Sequence, residues 1–190
     1  MGQEYIENQV FEKIDFSKTH FHRGDYEHCT FIRCNFSHQD ISTVRFSECI
    51  FDTCDMSLSK IVETEFQEVE FINSRLLGLQ FDTCSNFLCS MSFDTCILDF
   101  ASFRGLKIKN TSWKNCQLHE VNFTESDLTG SVFLNCDFTR AVFEKTILEK
   151  ADLRSSRNFS IDPENNRIKK ARFSSSEIQG LLYKYNILID

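Results

Sequence analysis

Large apolar side chains recur at every fifth residue over most of this chain. One frame runs from Phe11 to Phe81, a second runs from Phe93 to Leu153, and every position in both frames is large and apolar. Neither the 3.6-residue period of a helix nor the two-residue period of a strand produces this spacing. The pattern predicts a chain that turns a corner every five residues, so that four units close one square coil.

A second inward position accompanies the first. The residue two places before each large apolar residue is usually small, as at Cys34, Ala101 and Thr146, and the other three positions are mostly polar. One large and one small side chain per unit therefore point inward, and three point outward. Successive coils should stack about 4.8 Å apart through backbone hydrogen bonds, giving a rod of about seven coils.

The repeat resembles a known family. The stretch ESDLTGSVFLNCDFTRAVFEKTILEKADL (125–153) matches the A(D/N)LXX consensus of the pentapeptide-repeat family unit by unit. The resemblance covers about residues 9–155, and the N-terminal half departs from the consensus with Phe for Leu and Cys for Ala. It implies an all-β fold, a right-handed quadrilateral β-helix, with a short C-terminal helical cap in this chain.

The frames divide the chain into three predicted parts. We expect an N-terminal lead-in over residues 1–8, the repeat domain over 9–155, and a C-terminal cap or dimerisation segment over 156–190. The frame slips by two residues near 82–92, where we expect a bulge or small loop that divides the rod into two stacks.

The C-terminal segment should close the open end of the rod. Ser174 and Glu177 form the pattern of a capping box. The apolar residues that follow at helical spacing are Ile178, Leu181, Leu182 and Tyr185. Residues 187–189 are candidates for a terminal strand. The segment resembles the tail of bacterial quinolone-resistance and microcin-immunity members, and such a tail in gyrase-protecting relatives implies a homodimer; a monomeric cap is the alternative.

Charge and composition restrict the possible roles. With 21 basic and 28 acidic residues the net charge is −7, which disfavours direct nucleic-acid binding. No apolar run is long enough to cross a membrane, and the start of the chain lacks the pattern of a signal peptide. Nine cysteines, an odd number, favour free thiols, so we expect a cytoplasmic protein.

We expect no enzyme activity, no cofactor and no metal. The cysteines at 20-residue spacing, such as Cys96, Cys116 and Cys136, should stack inside the rod as small apolar fillers. The histidines are interpreted as solvated surface residues, because no convergent carboxylate can be placed beside them. Phosphate-binding, nucleophile-elbow and metalloprotease motifs are missing from the sequence.

The outward positions carry two candidate contact surfaces. An acidic strip should form from Asp25, Glu27, Glu48, Glu65 and Glu68. With the family resemblance, it suggests a DNA mimic that binds and protects DNA gyrase or topoisomerase IV. On the neighbouring face, apolar residues occupy the outward positions Val10, Ile32, Ile50 and Ile72. They suggest the alternative, a general protein-protein interaction module with another partner.

Overall fold

The computed structural model describes residues 4–188 as a parallel β-solenoid of about seven turns. Backbone pairing runs in four columns, which gives the coil four sides. Two columns are sheets, and two consist of isolated parallel bridges, such as Asp15 to Asn35 and Asn122 to Val142. The all-β, four-sided architecture predicted from the five-residue period is thus confirmed.

The strands are three or four residues long, because each side of the coil lasts only five residues. The first sheet contains β1 (Glu4–Glu7), β3 (Gly24–Glu27), β5 (Arg45–Ser47) and β7 (Glu65–Gln67). The second sheet contains β2 (Val10–Glu12), β4 (Thr30–Ile32), β6 (Ile50–Asp52), β8 (Val69–Ile72), β9 (Met91–Asp94), β10 (Ser112–Lys114) and β11 (Val132–Leu134). Short 3-10 helices span Phe81–Thr83, Ser175–Leu181 and Tyr183–Tyr185.

Rings stacked from coil to coil form the core. Along the second sheet, Phe31 lies parallel to Phe51 with ring centroids 4.8 Å apart, and Phe93 lies 4.3 Å from Trp113. Neighbouring sides meet edge to face, as between Phe46 and Phe51 at 5.1 Å. Both arrangements are favourable geometries for aromatic pairs. The large position of each unit therefore fills the rod, leaving the exterior to the polar positions.

The small inward residue also has a hydrogen-bonding role. The Cys49 thiol lies 3.4 Å from the carbonyl oxygen of Tyr26, in the preceding coil. Ser74 and Thr64 donate to the equivalent carbonyls of Phe51 and Ile41 at 3.0 and 2.9 Å. Cysteine, serine and threonine are thus interchangeable here because each is small and each is a donor.

Residues in the left-handed region make the corners. The residue two places after most of the large apolar residues has a positive φ, for example 50° at His28, 52° at Arg33 and 56° at Thr53. This conformation costs about 1–2 kcal/mol for a residue with a side chain. The cost is offset because the same amide donates to the next coil, as from His28 to Ser47 at 3.0 Å. Regular corners therefore form in a chain with only six glycines and one proline.

The frame slip is a loop, and it does not divide the rod as expected. Residues 84–90 leave the regular path, and β8 pairs directly with β9 with Phe71 opposite Phe93. These two rings stack at 5.4 Å, so the core is continuous past the loop. The prediction of two stacks was wrong because two surplus residues can protrude on one side while the other three sides keep their pairing.

The coils extend beyond both predicted boundaries. Strand β1 pairs with β3, with Ile6 opposite Tyr26, so residues 4–8 belong to the first coil and are not a separate lead-in; residues 1–3 lie outside the described part. At the other end, parallel bridges continue to the pair Asp152 and Arg172. Ile6 is five residues before Phe11, so the apolar period itself continues into the predicted lead-in.

The C-terminal helix begins directly after Ser174, as predicted, but its geometry differs. Ser174 precedes the helix, but its side chain caps no backbone amide, and the helix is 3-10. The Glu177 carboxylate instead accepts from the amide of Asn158 at 3.3 Å, which ties the helix to the last coil. Residues 187–188 form no strand, and Ile189, the end of the predicted terminal strand, lies outside the described residues.

Candidate functional site

One side of the rod carries opposite charges in its two halves. We call this side the split face. It consists of the outward residues of β1, β3, β5 and β7 with the corner residue after each, followed by the loop 84–90 and residues 107–110, 127–130, 147–150 and 167–170. Beyond the loop, successive parallel bridges continue the column: Lys107 pairs with Asp127, Asp127 with Ile147, and Ile147 with Arg167. The loop belongs to this face because Ser90 donates to Phe66 at 2.9 Å.

The half before the loop is acidic and contains all five residues of the predicted acidic strip. Its outward carboxylates are Glu7, Asp25, Glu27, Glu48, Glu65 and Glu68. Arg45 is the cation at the outward positions of this half. Its guanidinium lies 2.8 Å from Glu65 and 3.4 Å from Asp25, so it links three strands and neutralises the centre of the strip. The Glu65 hydrogen bond also raises the pKa of Arg45.

A histidine lies between two of these carboxylates. Nε2 of His28 is 3.8 Å from Glu27, and its Nδ1 is 3.4 Å from Glu48. The potential ligand atoms of the three residues lie within 4.8 Å of one another, so they could hold a cation at the surface. The expectation that no carboxylate converges on a histidine was therefore wrong at this corner.

Tyr5 extends the same network to the end of the rod. Its hydroxyl donates to Glu27, and this hydrogen bond is the main cause that raises the pKa of Tyr5 to about 12. By contrast, within the described residues the carboxylates of Glu7 and Glu68 make no ion pair or hydrogen bond.

The half after the loop is basic, and sequence analysis missed it. Its outward cations are Lys107, Lys109, Lys150, Arg167, Lys169 and Lys170, and its outward carboxylates are Asp127 and Glu149. Lys109 pairs with Asp127 at 3.2 Å and Arg167 pairs with Glu149 at 2.6 Å. The other four cations make no ion pair in the described part of the chain. Lysines at outward positions of three of these four units were visible in the sequence, but the path of the loop was needed to align them with the acidic half.

In the predicted apolar strip, formed by Val10, Ile32, Ile50 and Ile72, apolar and polar residues alternate, so we call this surface the checkerboard. Val10 and Ile50 belong to one column of the second sheet, where they alternate with Thr30 and Glu70. Ile32 and Ile72 belong to a parallel column, where Asp52 separates them. Val10 is 66 % exposed, whereas Ile32, Ile50 and Ile72 are half-buried. The four residues share a face but form no continuous apolar column.

Two of the four predicted cap residues pack against the rod, and the other two are exposed. Leu181 is buried and Leu182 is half-buried, while Ile178 and Tyr185 are exposed. The Tyr185 hydroxyl donates to Glu164 at 2.8 Å, and Lys184 pairs with Asp162 at 2.7 Å. These contacts hold the tail on the final turn. A groove of about 950 Å³ lies between the tail and the last coil and is lined by Arg140, Phe159, Leu182, Tyr183, Lys184 and Ile187, among others.

Comparison with known proteins agrees with this geometry. The family model "Pentapeptide repeats" matches residues 96–133 and 116–155, with eight copies. A comparison with curated protein sequences finds no match. None of the described helices has the length and apolar character needed to span a bilayer.

Solved structures of QnrB1, a plasmid-mediated fluoroquinolone resistance protein, share the fold. A trypsin-treated form has 19% sequence identity and a TM-score of 0.70, covering 100% of this chain and 92% of its own. The full-length form has 17% identity and a TM-score of 0.57, covering 97% of this chain and 100% of its own. From the coil geometry, the repeat match and this likeness, the chain carries pentapeptide repeats over residues 96–155 and resembles the quinolone-resistance type in its fold.

Proposed function

We propose that this protein works by binding, without catalysis, and that the acidic half of the split face docks on a basic protein surface. The observation that carries this proposal is the run of six outward carboxylates over four consecutive coils, opposed by Arg45 as the outward cation. Carboxylates held at fixed intervals on a rigid rod complement a surface that is basic along one direction.

The partner that we propose is the DNA-binding surface of a type II topoisomerase, DNA gyrase or topoisomerase IV. Such a surface is basic because it neutralises phosphates. The carboxylates of Glu7 and Glu68 are unpaired and would supply charge at both ends of the acidic half. The shared fold with a fluoroquinolone resistance protein supports this choice, since occupation of the DNA site could protect the enzyme from the drug.

A supercoiling assay tests this function. We expect the purified protein to change gyrase supercoiling or to restore it in the presence of a fluoroquinolone, with an effect that falls steeply as salt rises. The variant Glu48→Lys/Glu68→Lys should lose the effect by about tenfold or more, because both charges lie on the acidic half. Neither inhibition nor protection by the wild-type protein would exclude this partner.

The matched control reverses the same number of charges on another side. Glu125 and Glu144 are exposed and lie outside the split face. The variant Glu125→Lys/Glu144→Lys changes the net charge equally and should retain the effect. Equal loss in both variants would indicate a response to net charge and not a specific face.

The alternative function, a general interaction module, is tested on the checkerboard. The variant Ile32→Glu/Ile50→Glu should leave the topoisomerase effect unchanged if the acidic half is the contact. The interaction module would be favoured if the Glu48→Lys/Glu68→Lys variant still bound a different protein partner and the Ile32→Glu/Ile50→Glu variant no longer bound it. Because these isoleucines are half-buried, their substitution could unfold the protein. Melting curves of the Ile32→Glu/Ile50→Glu variant and of the Glu48→Lys/Glu68→Lys variant must therefore show that both are folded.

A further inference from the structure

The split face has the order of charges that a two-fold axis requires. The loop 84–90 lies at its centre, with the acidic half before it and the basic half after it. A rotation of 180° about an axis through the loop would place the acidic half of one rod opposite the basic half of a second rod. At about 4.8 Å per coil, this face is about 40 Å long.

The charges correspond best in the coils nearest to the loop and farthest from it. One coil from the loop, the unit that contains Glu68 lies at the level of the unit that contains Lys107. Four coils from the loop, Glu7 corresponds to Lys169. Within the described residues these four side chains make no ion pair inside their own chain, so they are available to a partner.

The exceptions to the charge pattern also correspond. Two coils before the loop lies Arg45, the outward cation of the acidic half. Two coils after the loop lies Asp127, one of the two outward carboxylates of the basic half. In the third coil, Lys150 would oppose Glu27, while Glu149 is already paired with Arg167 at 2.6 Å.

Apolar side chains lie where the axis would pass. Phe87 is 62 % exposed and Leu88 is 65 % exposed, and both lie in the loop at the boundary between the two halves. A two-fold axis brings the same patch of each copy into contact with itself. An apolar centre with a charged rim is the usual composition of a protein interface.

We infer that the split face binds a second copy of this chain, side by side and antiparallel, with the loop 84–90 at the two-fold axis. Loop contacts would bury Phe87 and Leu88, and the acidic half of each copy would pair with the basic half of the other. This pairing does not depend on the proposed topoisomerase partner. It would cover the acidic half, so self-association and partner binding would exclude each other.

Sedimentation velocity over a concentration series tests the pairing, with low and high salt compared. We expect a dimer that weakens as salt rises. The variants Glu7→Lys/Glu68→Lys and Lys107→Glu/Lys169→Glu should each weaken self-association by about tenfold or more, since like charges would then be opposed. Mixed together, the two variants should form a heterodimer, and all four substitutions in one chain should restore the homodimer.

Crosslinking tests where the axis lies. Leu88→Cys should form a disulfide with its counterpart under mild oxidation, because a residue at the axis meets itself. Leu58→Cys is the matched control: Leu58 is 51 % exposed and has a φ of 56°, close to the 51° of Leu88, but lies on another side of the coil. The control should remain unlinked.

Three results would overturn the inference. The first is a monomer at every concentration and salt. The second is a dimer that both charge variants retain, which would indicate another interface such as the C-terminal segment. The third is equal crosslinking of the Leu58→Cys and Leu88→Cys variants. Topoisomerase binding by the Lys107→Glu/Lys169→Glu variant is a separate readout, because that variant keeps the acidic half.

Discussion

Asp137 shows how one outward side chain joins the repeat to the end of the rod. Its carboxylate accepts from Thr139 at 2.7 Å in its own unit, from Arg157 at 3.0 Å and from Asn158 at 2.9 Å in the next coil. Burial acts to raise the pKa of Asp137, but the hydrogen bonds from Asn158, Thr139 and Arg157 outweigh it and hold the pKa well below its usual value. The ionised carboxylate is therefore the form that stabilises the fold.

We predict that Asp137→Asn lowers the free energy of unfolding by about 1–2 kcal/mol at pH 7, because charge-assisted hydrogen bonds are lost. Since the folded pKa is depressed, this contribution is fully present above the unfolded pKa of about 3.9 and declines below it, until it is lost as the pH falls through the lower folded pKa. Urea unfolding at pH 7, 5 and 3 should show the difference between wild type and variant shrinking at the lowest pH.

Asp55→Asn is the control for this prediction. Asp55 is also outward on the same side of the coil, but its side chain is 40% exposed and its ion pair with Arg75 is long, at 3.8 Å. We expect a loss of less than about 1 kcal/mol, as for an exposed pair. Equal losses in the two variants would show that the contacts of Asp137 with the last coil have no special weight.

At the scale of elements, the five-residue period determines most of what the sequence reveals. It places Phe31, Phe51 and Phe71 in one stack, and it places Asp25 and Glu65 on one face. It does not reveal which side chains meet across coils, because that depends on side-chain length and direction. Arg45 reaches both carboxylates since its guanidinium is long enough to span strands on either side.

Two misjudged features have the same origin. The apolar strip combined Val10, just before an inward Phe, with Ile32, just after one, and these two positions belong to different columns of the sheet. The basic half was missed because the path of the loop was needed to align residues 107–170 with the acidic half. Position within the unit is readable from the sequence, whereas the alignment of the sides across a surplus of two residues is not.

The C-terminal 3-10 helix depends on a close approach at Gly180. A methyl group there would overlap the carbonyl oxygen and the ring of Phe159, and the carbonyl of Gly180 accepts from Ile161 at 2.9 Å. Although glycine weakens a helix, the glycine here allows the helix to lie on the last coil. The docking of the whole tail thus depends on this position.

We predict that Gly180→Ala loosens the tail while the coils stay folded. Relief of the overlap requires a shift that costs about 1–3 kcal/mol of local stability. Hydrogen exchange should become faster at the amides of Ile161 and Leu182 and stay unchanged at Phe51 and Phe71. In the control Gly105→Ala, no atom lies within 4 Å of the added methyl group, so the strain of the positive φ should leave the tail amides unaffected.

At the scale of the whole molecule, the rod behaves as a one-dimensional stack in which each coil contacts only its neighbours. The charge of −7 is unevenly distributed, so net charge alone misrepresents the surface. In our proposals, the acidic half of this rod attracts either a basic partner or the basic half of a second copy. Which of these it binds would depend on concentration and salt, because both contacts use the same carboxylates.

The stack also predicts which deletions the fold tolerates. Deleting residues 116–135 removes one coil and joins Asn115 to Cys136, so every later inward residue stays inward. We expect a folded rod, shorter by about 4.8 Å, with a cooperative thermal transition at a somewhat lower temperature. Circular dichroism and small-angle scattering would measure both properties.

Deleting residues 116–137 instead removes two further residues and should disrupt the coils that follow. The loop at 84–90 shows that a surplus of two residues is accommodated, because extra chain can protrude from one side. A shortage has no such solution: Phe138 would fall on the small inward position that Cys116 occupies, and the charged Arg140 would fall on the large inward position that follows. If both deletions fold equally well, the inward position of each fifth residue is not what holds the coils in register.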